Sequence, residues 1–100
     1  MVQRNVTVFA DGEVDRSPCG SGTSARLAIL YERGEIRIGE ALQHRSIVDT
    51  AFDARVVGAG PLVGGRTSVI TEVEGSAFRT GEHTFTLDDR DPLDRGFLLR

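Results

Sequence analysis

Only one stretch of this chain has the pattern of a helix, and it is apolar on most of its sides. Ala25, Leu27, Ala28, Leu30 and Tyr31 make up its apolar face. Thr23 or Ser24 stands in front as a hydroxyl cap, and Gly34 stands behind as a stop. A helix this apolar expects neighbours on every side. The remaining segments alternate with period two and read as about six strands. Asn5 to Phe9, the short Val14 to Ser17, Gln43 to Ala51, Phe52 to Val57 and Thr67 to Glu74 are the main ones. Ser76 to Arg79 and His83 to Leu87 flank Thr80-Gly81-Glu82 and predict a hairpin. Asp11-Gly12, Arg37 to Glu40, Gly58 to Gly65 and Asp88 to Asp91 are turns or loops. The expected fold is α+β (mixed α/β), a curved antiparallel sheet around one central helix.

A chain of 100 residues is one small domain with a modest core. No apolar run is long enough to span a bilayer, so no membrane partner is expected. The start, MVQRNVTVF, lacks a signal-peptide layout, and the chain reads as cytoplasmic. All twelve basic residues are arginine, which excludes a Schiff-base lysine and a P-loop. The arginines are scattered and aromatics are few, so no nucleic-acid face is expected. His44 and His83 have no ligand-spaced partners, and the acids of 88–91 lack the calcium-loop pattern, so no metal is expected.

The chemistry concentrates in Asp15-Arg16-Ser17-Pro18-Cys19-Gly20-Ser21-Gly22-Thr23-Ser24-Ala25-Arg26, which holds the only cysteine. One cysteine rules out an internal disulfide. An extended run ends at Pro18, a glycine-bearing turn follows, and a helix begins. The start of a helix offers unpaired N–H groups and a partial positive charge. Both favour a thiolate, the reactive form of Cys19. The same N–H groups can hold a carboxylate. Gly20 to Ala25 also fits the dinucleotide pattern G-x-G-x-x-A, but Pro18-Cys19 interrupts the strand that should enter it.

DRSPCGSGTSAR closely resembles the second-cysteine motif of the proline racemase and hydroxyproline epimerase family. The resemblance runs along the whole chain, from NVTVFADGEVDRSPCGSGTSARLA to GSAFRTGEHTFTLDDRDPLDRGFLLR. It implies a lobe of the diaminopimelate-epimerase type. It further implies that residues 1–100 form the C-terminal lobe of a two-lobed enzyme whose N-terminal lobe is absent here. The family chemistry needs no cofactor. Two thiol groups on opposite faces of the α-carbon of proline or 4-hydroxyproline exchange its proton. By resemblance, Cys19 is one of these groups, and the backbone N–H groups of Gly20, Ser21 and Gly22 hold the substrate carboxylate. Asp15 matches the residue that binds the ammonium, and Phe9 a position near the proline ring.

The resemblance leaves alternatives open. The family's usual threonine after Cys-Gly is Ser21 here. The 3-hydroxyproline dehydratases typically carry threonine at the position of Cys19, so a cysteine there favours racemase or epimerase. A third reading is a non-catalytic fragment that self-associates. The implied partners are a small cyclic amino acid and either the missing lobe or a second copy of the chain.

Overall fold

Leu27 and Leu30 lie one helical turn apart and are fully buried, and the architecture is arranged around them. The computed structural model describes residues 1–99. Its strands are β1 (Val2–Arg4), β2 (Val8–Phe9), β3 (Glu13–Val14), β4 (Ala41–Arg45), β5 (Ala51–Ala59) and β6 (Val69–Glu74), with one helix, α1 (Gly20–Glu32), between β3 and β4. A four-stranded sheet runs in the order β1-β4-β5-β6, and β2 and β3 form a small separate hairpin. The fold is α+β with an antiparallel-rich sheet, as the alternating pattern implies.

Period-two burial explains the packing. Leu42 and His44 of β4 and Ala54 and Val56 of β5 are buried, while their neighbours in sequence lie at the other face. The register sets Leu42 opposite Ala54 and Ala54 opposite Val73, so one apolar face runs across the sheet. Leu27, Leu30, Ile36, Leu42, Ala54 and Val56 form the core, with Tyr31, Val69 and Val73 packed at its margin. The opposite face is polar, with Arg55 and Glu72 paired at 3.0 Å.

Several expectations are corrected. The helix begins at Gly20, and its N-cap is Cys19 rather than Thr23 or Ser24. Thr23 instead lies fully buried inside the helix. The helix is covered on one side only. Gly22, Ala25, Arg26 and Ile29 line an open groove of about 590 Å³ beside β1. The strand β1 runs parallel to β4, so β1–α1–β4 is a crossover connection that the antiparallel expectation did not contain. Ile47 and Val48 lie exposed in a turn beyond β4, not in a strand. The strand β5 continues to Ala59, through an irregularity between Val56 and Gly58.

The expected C-terminal hairpin does not form. Residues 75–88 carry no strand, and Phe78, Phe85 and Leu87 are exposed. Local turn chemistry is present, with Arg79 paired to Glu82, but two strands alone in water are marginal without a third or a packing layer. The segment runs away from the body. The radius of gyration is 18.7 Å, against about 13 Å for a compact chain of this length. The helix end matches the expectation. Gly34 takes φ 70° and donates to the Tyr31 carbonyl, while Glu35 donates to Leu30, a Schellman closure. Among the described residues, no helix is long and apolar enough to cross a membrane.

Gly75, just after β6, passes close over the ring of Phe52. A Cβ there would sit 2.6 and 2.8 Å from ring carbons of Phe52. Gly75→Ala should therefore destabilise the chain by about 1–3 kcal/mol. Phe52→Leu in the same chain should restore part of that loss. Urea midpoints of the two variants check both expectations.

Candidate active site

Residues 15–19 have no regular structure, yet side chains satisfy much of their backbone. Asp15 N–H donates to the Thr7 carbonyl (3.0 Å), tying the segment to the β2–β3 hairpin. The Asp15 carboxylate accepts from Ser17 N–H (2.8 Å), and the Ser17 hydroxyl accepts from Cys19 N–H (3.0 Å). The Thr50 hydroxyl donates to the Arg16 carbonyl (2.8 Å), and Asn5 Nδ2 donates to the Pro18 carbonyl (2.8 Å). Such side-chain bonds replace the ladder that a strand would supply.

Cys19 sits at the end of this segment with φ 65° and ψ 120°. Positive φ in a residue with a Cβ costs about 1–3 kcal/mol and persists only where the surroundings hold it. The reward is the position of the sulfur. Sγ accepts from Gly22 N–H at 3.4 Å, the bond a serine or aspartate usually takes as N-cap. Ser21 Oγ lies 3.5 Å from Sγ. No acidic residue occupies the first turn of α1, so no carboxylate there competes for the helix end. A Cβ at Gly22 would stand 3.4 Å from both Sγ and Cβ of Cys19, so the sulfur packs directly against this turn of the helix.

These contacts hold the Cys19 thiol below its ordinary pKa. The Ser21 hydroxyl contributes most, then Gly22 N–H. Burial pushes the other way, the Thr7 hydroxyl lowers the value further, and the charge of Asp15 raises it slightly. Ser21 keeps the hydroxyl that threonine would bring, and that hydroxyl supports the sulfur. Loss of that hydroxyl in Ser21→Ala should raise the apparent pKa of Cys19. Iodoacetamide alkylation followed against pH should show the midpoint move toward the ordinary thiol range, near ~8.5.

The structure places the other expected residues as follows. Gly20 and Ser21 N–H have no acceptor among the described residues, while Gly22 N–H is engaged by sulfur. Nothing lies within 4 Å of a Cβ built on Gly20, so that side of the turn is open. Asp15 is half-buried and lines a second groove, with Arg16, Ser17, Thr50 and Phe78. Phe9 is about half exposed on β2, paired across the hairpin with Glu13, and lines neither groove. Among the described residues, no group of three or more His, Cys, Asp or Glu side chains is placed to hold a metal ion.

The pairing of Thr23 with His44 was not expected from the sequence. Thr23 and His44 are both buried, and Thr23 Oγ1 lies 2.8 Å from His44 Nδ1. The alternation of Leu42, His44 and Ser46 was the available signal, because all three face inward. Burial, and secondarily the charge of Arg26, pushes the His44 pKa below 6.5. Its other neighbours are neutral: Thr23 on the helix, Gln3 on β1 and Phe52 on β5. Between the lowered folded value and the ordinary value, the unfolded chain binds more protons. Stability is then full above about pH 6.5 and falls as pH drops through that window. The thermal midpoint should decline as pH falls below about 6.5. His44→Asn should abolish this step. Asp49 and Asp88, both held below the usual 3.8 by arginine hydrogen bonds, act only at lower pH.

Comparison with known proteins follows the same line. The sequence profile of the proline racemase family matches residues 1–98. A 3-hydroxyproline 2-epimerase of Burkholderia multivorans is 53% identical over 98% of this chain and 29% of its own length. A trans-3-hydroxy-L-proline dehydratase of Bacillus thuringiensis is 51% identical over 96% of this chain and 28% of its own. A hydroxyproline epimerase structure from Agrobacterium vitis, with bound trans-4-hydroxy-L-proline, superposes with a TM-score of 0.74. It is 43% identical and covers 96% of this chain and 27% of its own. The chain thus spans less than a third of the length of the relatives it matches. With a cysteine-capped helix on an antiparallel-rich sheet, and with that match along its described length, this chain belongs to the proline racemase family.

Proposed function

We propose that this chain is the C-terminal lobe of a cofactor-independent racemase or epimerase acting at the α-carbon of proline or 4-hydroxyproline. The observation that supports this reading best is Cys19 itself, a thiol used as helix N-cap and held below its ordinary pKa by Ser21 and Gly22. As thiolate, Cys19 removes the α-proton: the Cα–H bond breaks, its electrons stay on carbon, and an S–H bond forms. A second acid on the opposite face, supplied by the other lobe, gives a proton to carbon. The reverse direction exchanges the two roles.

An α-proton beside a carboxylate is weakly acidic, so the charge that develops must meet fixed dipoles. Gly20 and Ser21 N–H are the open donors for the carboxylate in the free chain. Gly22 N–H serves the thiolate, and joins the cradle once the sulfur carries the transferred proton. Asp15, with one carboxylate oxygen turned to Ser17 N–H, keeps the other for the ring ammonium. Phe9 would meet the ring only from the rim of the site.

The lobe alone lacks the opposite acid, and it exposes Phe78, Phe85, Leu87 and Phe97. It is therefore expected to self-associate and not to turn over substrate. Polarimetry with L-proline and trans-4-hydroxy-L-proline should show no racemisation by the purified chain. Addition of a separately made N-terminal lobe of the Burkholderia multivorans relative should restore it. Cys19→Ser should then cost at least about 10²-fold. Turnover by the chain alone that vanishes in Cys19→Ser would overturn the half-enzyme reading and point to a symmetric dimer. A stable two-lobe complex without turnover would overturn the racemase assignment.

The dehydratase relative, at nearly the same identity as the epimerase, favours a second reading. The same complex is therefore also tested with trans-3-hydroxy-L-proline. Loss of water from it, without inversion of proline, would establish the lyase instead.

A further inference from the structure

We propose that two copies of this chain pair by exchanging residues 83–87, each copy laying that segment as an added strand along β1 and over the bare side of α1 of the other. The groove there has a volume of about 590 Å³. Gln3 and Asn5 form one wall, and Gly22, Ala25, Arg26 and Ile29 of α1 form the other. The helix wall is apolar at Ala25 and Ile29, and both are exposed. The opposite wall is a free sheet edge, since β1 pairs only with β4. Gln43 N–H donates to the Met1 carbonyl (2.9 Å), and Asn5 N–H donates to the Arg45 carbonyl (3.0 Å). The odd-numbered residues thus turn their backbone groups to β4. Val2 and Arg4 turn theirs outward, where another strand can pair.

The chain carries a segment that fits this place. His83-Thr84-Phe85-Thr86-Leu87 alternates with period two, and none of the described strands pairs with it. The rings of His83 and Phe85 stack with centroids 6.0 Å apart, so the two side chains share one face of an extended segment. Phe85 and Leu87 are exposed. Two residues along a strand advance about 6.6 Å, and four along a helix about 6 Å. Phe85 and Leu87 therefore match the spacing of Ala25 and Ile29, and the small Gly22 and Ala25 leave depth for a ring. Charge agrees. The groove lining holds two arginines and no acid. Arg26, fixed through Nε to Gln3 Oε1 at 2.7 Å, has no carboxylate partner among the described residues. Asp88, Asp89 and Asp91 follow the segment directly. The segment's own groove lies past α1. The chain leaves β6 at the sheet edge opposite β1, and α1 packs on the face between them. A second copy meets no such barrier. Each copy both gives and takes a segment, which closes a two-fold dimer.

The experiment is size exclusion with light scattering on the full chain, across a dilution series. The parent should run at twice 10.8 kDa and dissociate on dilution. Phe85→Glu and Ile29→Glu should each weaken the dimer at least about tenfold, because each sets a charge in the apolar contact. Leu62→Glu, at an exposed leucine in the loop after β5, should leave it unchanged. An equimolar mixture of Phe85→Glu and Ile29→Glu should associate more tightly than either alone, since one intact segment still meets one intact groove. Should Ile29→Glu fail to fold, amide hydrogen exchange of the parent decides. The amides of 83–87 and those of Val2 and Arg4 should then exchange more slowly in concentrated samples than in dilute ones. A monomer at every concentration overturns the proposal. So does a dimer that folded Ile29→Glu leaves intact, or that Leu62→Glu weakens equally, or whose concentration leaves those amides unchanged. The proposal names the partner in the self-association expected under Proposed function, and it is tested without substrate. A monomeric chain leaves the racemase reading standing, and a failed turnover assay leaves the dimer standing.

Discussion

The burial of Leu27 and Leu30 against Leu42, Ala54 and Val56 is the contact on which the rest depends. It fixes how α1 lies on the sheet, and so where the start of the helix points. The apolar face is narrow, one row on the helix and one on each of three strands. Fully burying a leucine stabilises by roughly 1.5–3 kcal/mol relative to exposure. With six buried apolar residues among those described, the fold has little to spare for strain elsewhere. It nevertheless keeps Cys19 in an unfavourable conformation. The cost is offset locally, by side-chain hydrogen bonds of Asn5, Asp15, Ser17 and Thr50 with the backbone around Cys19.

Those partners come from widely separated parts of the chain. Asn5 follows β1, Thr7 precedes β2, Thr50 precedes β5, and Thr23 belongs to the helix itself. All of them converge on five residues without regular structure. A thiol placed this way has its pKa lowered by geometry, since Ser21 and Gly22 act on sulfur only while it stands over the helix start. Asp15 opposes the thiolate slightly, as a like charge beside it.

How far the sequence was legible differs by element. The end of the helix was clear, because Gly34 at positive φ is the common solution to a helix C-terminus. The start was read four residues late, because hydroxyls are the usual caps and sulfur is not. Thr23 resembled a cap by type but is drawn inward by His44. The strand pattern of 51–57 and 69–74 was legible from strict alternation, whereas β1, three residues long, carries too little pattern to detect. The hairpin of 76–87 failed for another reason. A turn signal is local, but a strand needs a neighbour, and none of the described strands pairs with that segment. The motif around Cys19 was legible as chemistry. The buried Thr23–His44 pair behind it was not, because contacts between residues about twenty apart leave no periodic trace.

The groove beside α1 and the extended 75–99 segment follow from one imbalance. The helix is apolar on more sides than this sheet can cover, as Ala25 and Ile29 in the open groove show. The C-terminal segment likewise carries Phe85 with 90% of its surface in water. An open site also weakens the hold on the thiolate. Water solvates a partly exposed thiolate and screens the dipoles that favour it. Covering the helix and enclosing the sulfur are therefore one structural requirement, and a second layer of protein against the exposed side of α1 would meet both.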